Sequence, residues 1–376
     1  MPGLPKSNSA NFHSAMSTFL ASRLSRFLPS AATRVASYSS GLRAKKWVLV
    51  QHFDGFPKHT DFELHEEPLR ALKDGEYLCE AEWVSVDPYQ RAYTPNMQVP
   101  MTMIGLQCAR VLESRAEGYP EGSYVVGGLG WRSHTIREAS RDQGQLLPFA
   151  TAPMPDLGNL SRSHSVGACG MPGNTAYFGL LELCQPKEGE TVVVSGAAGA
   201  VGALVGQIAK IKGCHVVGFA GSDAKCDWLL SLGYDRAINY KTAKTSKALR
   251  EAAPNGVDCY FDNVGGWLSD AVMCQMNLFG RVSLCGCIAG YNDPRGRRTL
   301  VPMLQMPMLM QQLRMEGFIV SRWSDRWQEG VTQMRDWLEN DKIKAEETIT
   351  EGFENLPEAF MGMLAGKNFG KAVVKV

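Results

Sequence analysis

The chain has 376 residues, 44% apolar and 20% charged, with a formal net charge of +1. That length suits two ordinary domains plus an extra segment, and a core large enough to stand without disulfides. The near-neutral balance argues against a nucleic-acid-binding surface, no stretch reads as a membrane-spanning helix, and the ten cysteines form neither a CxxC pair nor a spaced Cys/His zinc set. Most of them sit in apolar runs and read as reduced thiols.

The first 53 residues contain no Asp or Glu, but they carry Lys6, Arg23, Arg26 and Arg34 among many serines. Phe19, Leu20, Leu24, Phe27 and Leu28 fall near one helical face, with Arg23 and Arg26 between them. Residues 1–44 therefore read as an organellar transit peptide addressed to mitochondria. The other reading is a tail without an address on a cytoplasmic protein. From Lys46 to about Ala168, short apolar runs at 47–50, 77–79 and 124–126 are separated by Gly, Pro and Asp. This is the texture of a strand-rich domain with many turns.

Near Gly170 the texture changes to alternating strands and helices. Strands are expected at 191–195, 215–219, 237–240, 257–261, 281–285 and 318–320. Helices are expected at 202–212, where Leu204, Val205, Ile208 and Ile211 share a face before Gly213, and at 223–232 before Gly233. Such alternation implies an α/β fold with a doubly wound parallel sheet. The run 371–376 is expected to rejoin the first domain. The expected division is thus 45–168 with 340–376, and 169–339.

Between the first strand and helix stands Ala197-Ala198-Gly199-Ala200-Val201-Gly202. It is a phosphate-binding turn with Ala197 in place of the first glycine. Glycines there permit a tight bend and let a pyrophosphate reach the helix N-terminus. The second strand runs into Gly218-Phe219-Ala220-Gly221-Ser222, without the acid that would hold a ribose 2′-hydroxyl. Asp223 comes later and is expected to cap the next helix. Ser222 and Lys225 suit a 2′-phosphate, which favours NADPH over NADH.

Five motifs carry a resemblance: Val86-Asp87-Pro88-Tyr89-Gln90-Arg91, Gly170-Met171-Pro172-Gly173-Asn174-Thr175-Ala176-Tyr177, the turn at 196–202, Asp262-Asn263-Val264-Gly265-Gly266, and Glu351-Gly352-Phe353-Glu354-Asn355-Leu356-Pro357. Residues 46–376 resemble the zinc-free branch of the medium-chain dehydrogenase/reductase superfamily. The resemblance implies a GroES-like strand-rich catalytic domain, built from both chain ends, around a Rossmann domain. It also implies NADPH contacts from Thr175, Gly199, Ala200, Val201, Gly202, Lys225, Tyr240, Asn263 and Asn368. Further contacts would come from the loop Cys285, Gly286, Cys287, Ile288, Ala289, Gly290 and Tyr291, and from Phe318 and Ile319. Zinc-dependent relatives carry Gly-His-Glu where this chain has Gly105-Leu106-Gln107, so no metal is expected.

Without a metal, reduction of an activated C=C bond is the easier chemistry. Hydride adds to the carbon β to a carbonyl, and charge develops on the carbonyl oxygen, which needs a donor placed in advance. The resemblance makes Tyr291 that donor, with Tyr89 next. It implies lipid-derived enones and enals as substrates, among them 2-alkenals and 15-oxoprostaglandins, NADP-dependent oxidation of 12-hydroxy leukotriene B4, and a homodimer. A quinone oxidoreductase of the same branch and an NADPH-binding protein without turnover remain open. The run 302–310, with Met303, Met306, Met308 and Met310, reads as a pocket wall, a subunit contact or core filling.

Overall fold

The broken apolar runs of the N-terminal part give β1 (Arg43–Leu49), β2 (Phe62–Pro68), β3 (Glu76–Val86), β4 (Met101–Thr102), β5 (Gln107–Ser114), β6 (Tyr124–Gly127), β7 (His134–Glu138) and β8 (Ala152–Pro153). Short helix α1 (Tyr89–Tyr93) follows β3. The computed structural model describes residues 41–142, 145–294 and 303–376. Most of the expected transit segment lies outside the described residues, as do Arg295, Arg297, Arg298 and Pro302. Strand β1 opens at Arg43, four residues before the expected run, and Ala44 is fully buried.

The alternating half supplies α2 (Met171–Phe178), β9 (Thr191–Val194), α3 (Ala200–Ile211), β10 (His215–Ala220), α4 (Asp223–Ser231), β11 (Arg236–Asn239), α5 (Thr245–Ala252), β12 (Val257–Asp262), α6 (Gly266–Met273), β13 (Met276–Leu284), α7 (Gln305–Met310), β14 (Arg314–Gly317) and α8 (Trp327–Glu339). Its strands pair in parallel in the order β11-β10-β9-β12-β13-β14. The central strand β9 is Thr-Val-Val-Val, buried throughout, as a strand covered on both faces must be. Strand order reverses between β9 and β12, which opens a crevice at their carboxyl ends.

The chain then adds β15 (Glu347–Glu351), α9 (Leu356–Leu364) and β16 (Lys371–Lys375). Strand β16 pairs with β15 on one side and antiparallel with β3 on the other, so the last run does join the N-terminal sheet. Among the described residues, no helix is long and apolar enough to cross a membrane.

Three expectations are corrected. The sixth strand is 314–317, not 318–320. Its Arg-Met-Glu-Gly sequence lacks an apolar run because β14 is an edge strand, and Phe318 instead turns its ring onto Phe261 and Trp323. The fifth strand starts at Met276 rather than 281: Met276 pairs with Val257 ahead of a register shift, and Phe279 takes a left-handed backbone (φ 63°) between that pair and the apolar run from 281. The helix after the phosphate turn starts at Ala200 rather than Gly202.

One packing unit fixes α3 on the sheet. Tyr234 is buried, and its hydroxyl donates to the Gly202 carbonyl at 2.6 Å. Its ring passes where side chains at Gly206 and Gly218 would stand: a Cβ on Gly206 would meet the ring at 2.0 Å, and one on Gly218 at 2.8 Å. The latter would also meet the Ala197 Cβ at 2.9 Å. The alanine in the first glycine position is therefore accommodated by the bare backbone of Gly218. Replacing Gly218 by Val is expected to overpack this seam. It should lower stability by about 1–3 kcal/mol, read as a lower urea midpoint at unchanged slope.

Candidate active site

The crevice has two lips. On the first, Gly196 (φ 59°) turns the chain out of β9, and Gly199 stands as the N-cap of α3. The N–H groups of Ala200, Val201 and Gly202 occupy the first turn and have no intrahelical acceptor. A Cβ on Gly202 would lie 2.4 Å from the Gly196 carbonyl and 2.7 Å from the Ala197 Cα, so only glycine lets helix and turn close. The result is a bare cradle of N–H groups at the positive end of a helix, suited to a diphosphate.

The second lip follows β12. Asp262 is buried, and its Oδ1 accepts from Ser195 Oγ, Tyr260 Oη, and the N–H groups of Val264 and Gly265, each at 2.9 Å. Its Oδ2 accepts from Ser269 Oγ. Asn263 donates from Nδ2 to the Ser195 carbonyl at 2.7 Å, which ties this lip to the end of β9. Gly265 and Gly266 both have positive φ, as the tight turn into α6 requires.

At the end of β10 the helix cap differs from expectation. Ser222 is the N-cap of α4: its Oγ accepts the Lys225 N–H at 3.3 Å from an extended backbone (φ −159°, ψ 157°). Asp223 is the first helical residue and accepts from Asn239 Nδ2 at 2.7 Å. Lys225 Nζ donates to the Gly366 carbonyl at 2.8 Å, and Tyr240 is exposed. A Cβ on Gly221 would lie 2.9 Å from Tyr240 Oη and 3.3 Å from Lys241 Cε, so these groups share one hollow.

The loop after β13 folds over the crevice. The N–H groups of Cys285 and Gly286 donate to the Asp262 carbonyl, and that of Ala289 donates to the Val264 carbonyl. Tyr291 folds back so that its Oη accepts the Cys287 N–H at 3.3 Å above the bare Cα of Gly286. Burial pushes the Tyr291 phenol up to about 12, against a smaller lowering by that N–H. Cys285 is likewise pushed up to about 12 by burial, so its thiol stays protonated. Ile288 and Gly290 form a single 3₁₀ turn with Ala289 between them.

Helix α1 docks on this loop. Arg91 Nε donates to Asn292 Oδ1 at 3.2 Å, and Arg91 Nη2 donates to the Gly55 carbonyl at 3.0 Å. Tyr89 packs on Tyr93 and Phe149. Its hydroxyl is buried toward the Leu106 backbone without a well-formed hydrogen bond, and burial raises it well above the usual phenol range.

The remaining sequence-derived candidates are more dispersed. Thr175 spends its hydroxyl on the Met171 carbonyl at 2.7 Å within α2. Phe318 points its ring into the core, whereas Ile319 is exposed. Asn368 donates to the Gly370 carbonyl at 2.7 Å, and the Gly370 N–H donates to the Ala198 carbonyl of the phosphate turn at 3.0 Å. In the methionine run, Leu304 and Met308 pack on the core, but Met303, Met306, Leu309 and Met310 are exposed, so core filling fails for those four. Gln107, at the position of the zinc-binding relatives' acid, donates from Nε2 to the carbonyls of Gly130 and Arg132. Among the described residues, no group of three or more His, Cys, Asp or Glu is placed to hold a metal.

Sequence reasoning missed Lys241, Arg91 as a dock for the loop after β13, and Gly366 and Gly370, although it named Asn368 between them. Lys241 carried a readable signal, a cation next to Tyr240. The others depend on contacts between distant parts of the chain.

Residues 45–143 match the family described as N-terminal domain of oxidoreductase, and residues 200–336 match that described as zinc-binding dehydrogenase. The chain is 49% identical over 340 residues to prostaglandin reductase 1 of Mus musculus, covering 89% of this chain and 99% of the relative. It is 38% identical over 346 residues to the NADPH-dependent curcumin reductase of Escherichia coli (strain K12), covering 89% and 97%. The solved structure of CurA from Vibrio vulnificus in complex with NADPH superposes with a TM-score of 0.81 at 35% identity, covering 88% of this chain and 99% of that one.

Gly202→Ala tests the cradle. Its added methyl group is expected to weaken binding of adenosine 5′-diphosphate at least about tenfold, measured by calorimetric titration of the full chain.

Proposed function

The chain belongs to the medium-chain dehydrogenase/reductase family, and from that premise we propose that it is an NADPH-dependent reductase of the C=C bond in α,β-unsaturated aldehydes and ketones. The substrate class is lipid-derived enones and enals, including 2-alkenals and 15-oxoprostaglandins. Two features of the crevice fit the cofactor. The bare cradle at Gly199 and Gly202 admits a diphosphate, and the hollow at Ser222, Lys225, Tyr240 and Lys241 offers cations where an NAD site would carry an acid. Gly199, Ala200, Val201 and Gly202 would hold the diphosphate. Asn263 and the loop from Cys285 to Tyr291 would flank the nicotinamide, with Asn368 closing from the other side. When bound, NADPH supplies a hydride to the carbon β to the carbonyl.

The observation that carries the reading is the Tyr291 hydroxyl. Its oxygen accepts a backbone N–H, so its own proton can go to an acceptor, and a substrate carbonyl competes for it only with the Cys287 side chain beside it. That proton is directed to the substrate carbonyl oxygen, where charge develops as the β carbon is reduced. Because burial holds the phenol at about 12, it stays protonated across the neutral range. Tyr89, buried against Tyr93 and Phe149, shapes the pocket wall.

We assign a homodimer to the exposed face of α7, with Met306, Leu309 and Met310, beside the edge strand β14. Because Arg43 and Ala44 belong to β1, the expected boundary at 44 moves back: the segment before Arg43 is read as a mitochondrial address, and retention of the full-length chain in cytosol would count against it.

Single-turnover NADPH oxidation with 4-hydroxynonenal is the test of Tyr291. Tyr291→Phe is expected to slow it by roughly 10²-fold, and a loss below about threefold removes Tyr291 from the donor role. For the wild type, the contribution of this donor should be flat from about pH 6 to 9 and fall only as the pH nears the phenol's raised value. Light scattering after size exclusion checks the dimer: Leu309→Asp should give a monomer of the same fold, and an unchanged mass would place the contact elsewhere.

A further inference from the structure

At the end of β10 two lysines stand on either side of the Gly221-Ser222 turn, close enough for the charge of one to act on the other. Lys225 stands in the first turn of α4 and is half-buried. Its Nζ is engaged, donating to the Gly366 carbonyl at 2.8 Å and lying 5.6 Å from the Phe369 ring centre. Lys241 follows Tyr240 directly. Its backbone N–H donates to Asn239 Oδ1 at 3.1 Å, and its side chain is exposed.

The backbone of Gly221 locates the Lys241 stem. A Cβ there would touch Tyr240 Oη and Lys241 Cε together, so the hollow is bounded by Gly221, the tyrosine hydroxyl and the lysine stem. The acid nearest in sequence to Ser222, Asp223, is bonded to Asn239. Burial, and then the charge of Lys241, hold the Lys225 ammonium below the usual lysine range. Two cations in a partly desolvated hollow repel each other until an anion joins them. A phosphate monoester, with nearly two negative charges at neutral pH, is the matching ligand.

We propose that Lys241 is the specificity-determining residue at this hollow: its uncommitted ammonium captures the 2′-phosphate of the adenine ribose, while Lys225, anchored on Gly366, orients it. This rests on the NADPH reading above and assigns the discrimination to a residue outside the motifs that suggested it. Because the Lys241 charge is exposed, its contribution is screened by salt.

The test is calorimetric titration of the full chain with adenosine 2′,5′-bisphosphate and with adenosine 5′-diphosphate, at low and at moderate salt. The wild type is expected to bind the bisphosphate at least about tenfold more tightly. Lys241→Ala should remove most of that ratio, and Lys241→Arg should keep it. The wild-type preference should shrink as salt rises. A ratio in Lys241→Ala within about twofold of the wild type, or an equal loss for both ligands, overturns the proposal while leaving the NADPH reading in place. A wild type that does not distinguish the two ligands overturns both.

Discussion

One buried carboxylate holds the two lips of the crevice at a fixed separation. Asp262 takes the Ser195 hydroxyl from the end of β9 on the same oxygen that accepts the N–H groups of Val264 and Gly265. The first contact reaches the strand that feeds the phosphate turn. The other two shape the turn into α6. The carbonyl of the same residue accepts Cys285 and Gly286, so the loop bearing Tyr291 is referred to this point as well. A carboxylate this deep is tolerated because its lone pairs are matched by donors. Removing any one donor would leave a carboxylate oxygen short of a hydrogen bond beside the crevice.

Electrostatics then divide the crevice along its length. The middle is a helix N-terminus with unspent N–H groups. One end is cationic, through Lys225 and Lys241. The other end, around Tyr291 and Cys285, is desolvated enough that phenol and thiol both keep their protons. A ligand that is anionic at one end and apolar at the other matches this gradient. Arg91 spans from α1 to Asn292 and the Gly55 carbonyl, which ties the loop bearing Tyr291 to the strand-rich part.

What the sequence made legible follows the range of each interaction. The buried strand β9 and the turn after it are local, and their residues alone identify them. Strand β14 escapes the apolar pattern because an edge strand need not be apolar, while Phe318 and Ile319, whose residue types suit a strand, lie beyond it. The choice between Ser222 and Asp223 as helix cap turns on backbone angles, since both side chains are good caps. The Gly366 contact with Lys225 joins residues 141 positions apart and leaves no local trace. Ala197 looked like a defect in the phosphate motif until Gly218, on the neighbouring strand, supplied the missing space.

The pairing of β16 with β3 has a consequence for how the chain is made. Lys371 is buried, and its Nζ donates to the Val86 carbonyl and lies 3.1 Å from Asp87, 285 positions after Val86. On the ribosome β3 emerges long before β16 exists, and its stretch from Trp83 to Val86 waits for that neighbour while 76–80 can already pair with β7. The parallel sheet in between has its strands close together in sequence and can assemble meanwhile. The strand-rich sheet beside the helix that carries Tyr89 can therefore be completed only after every strand of the parallel sheet has been made.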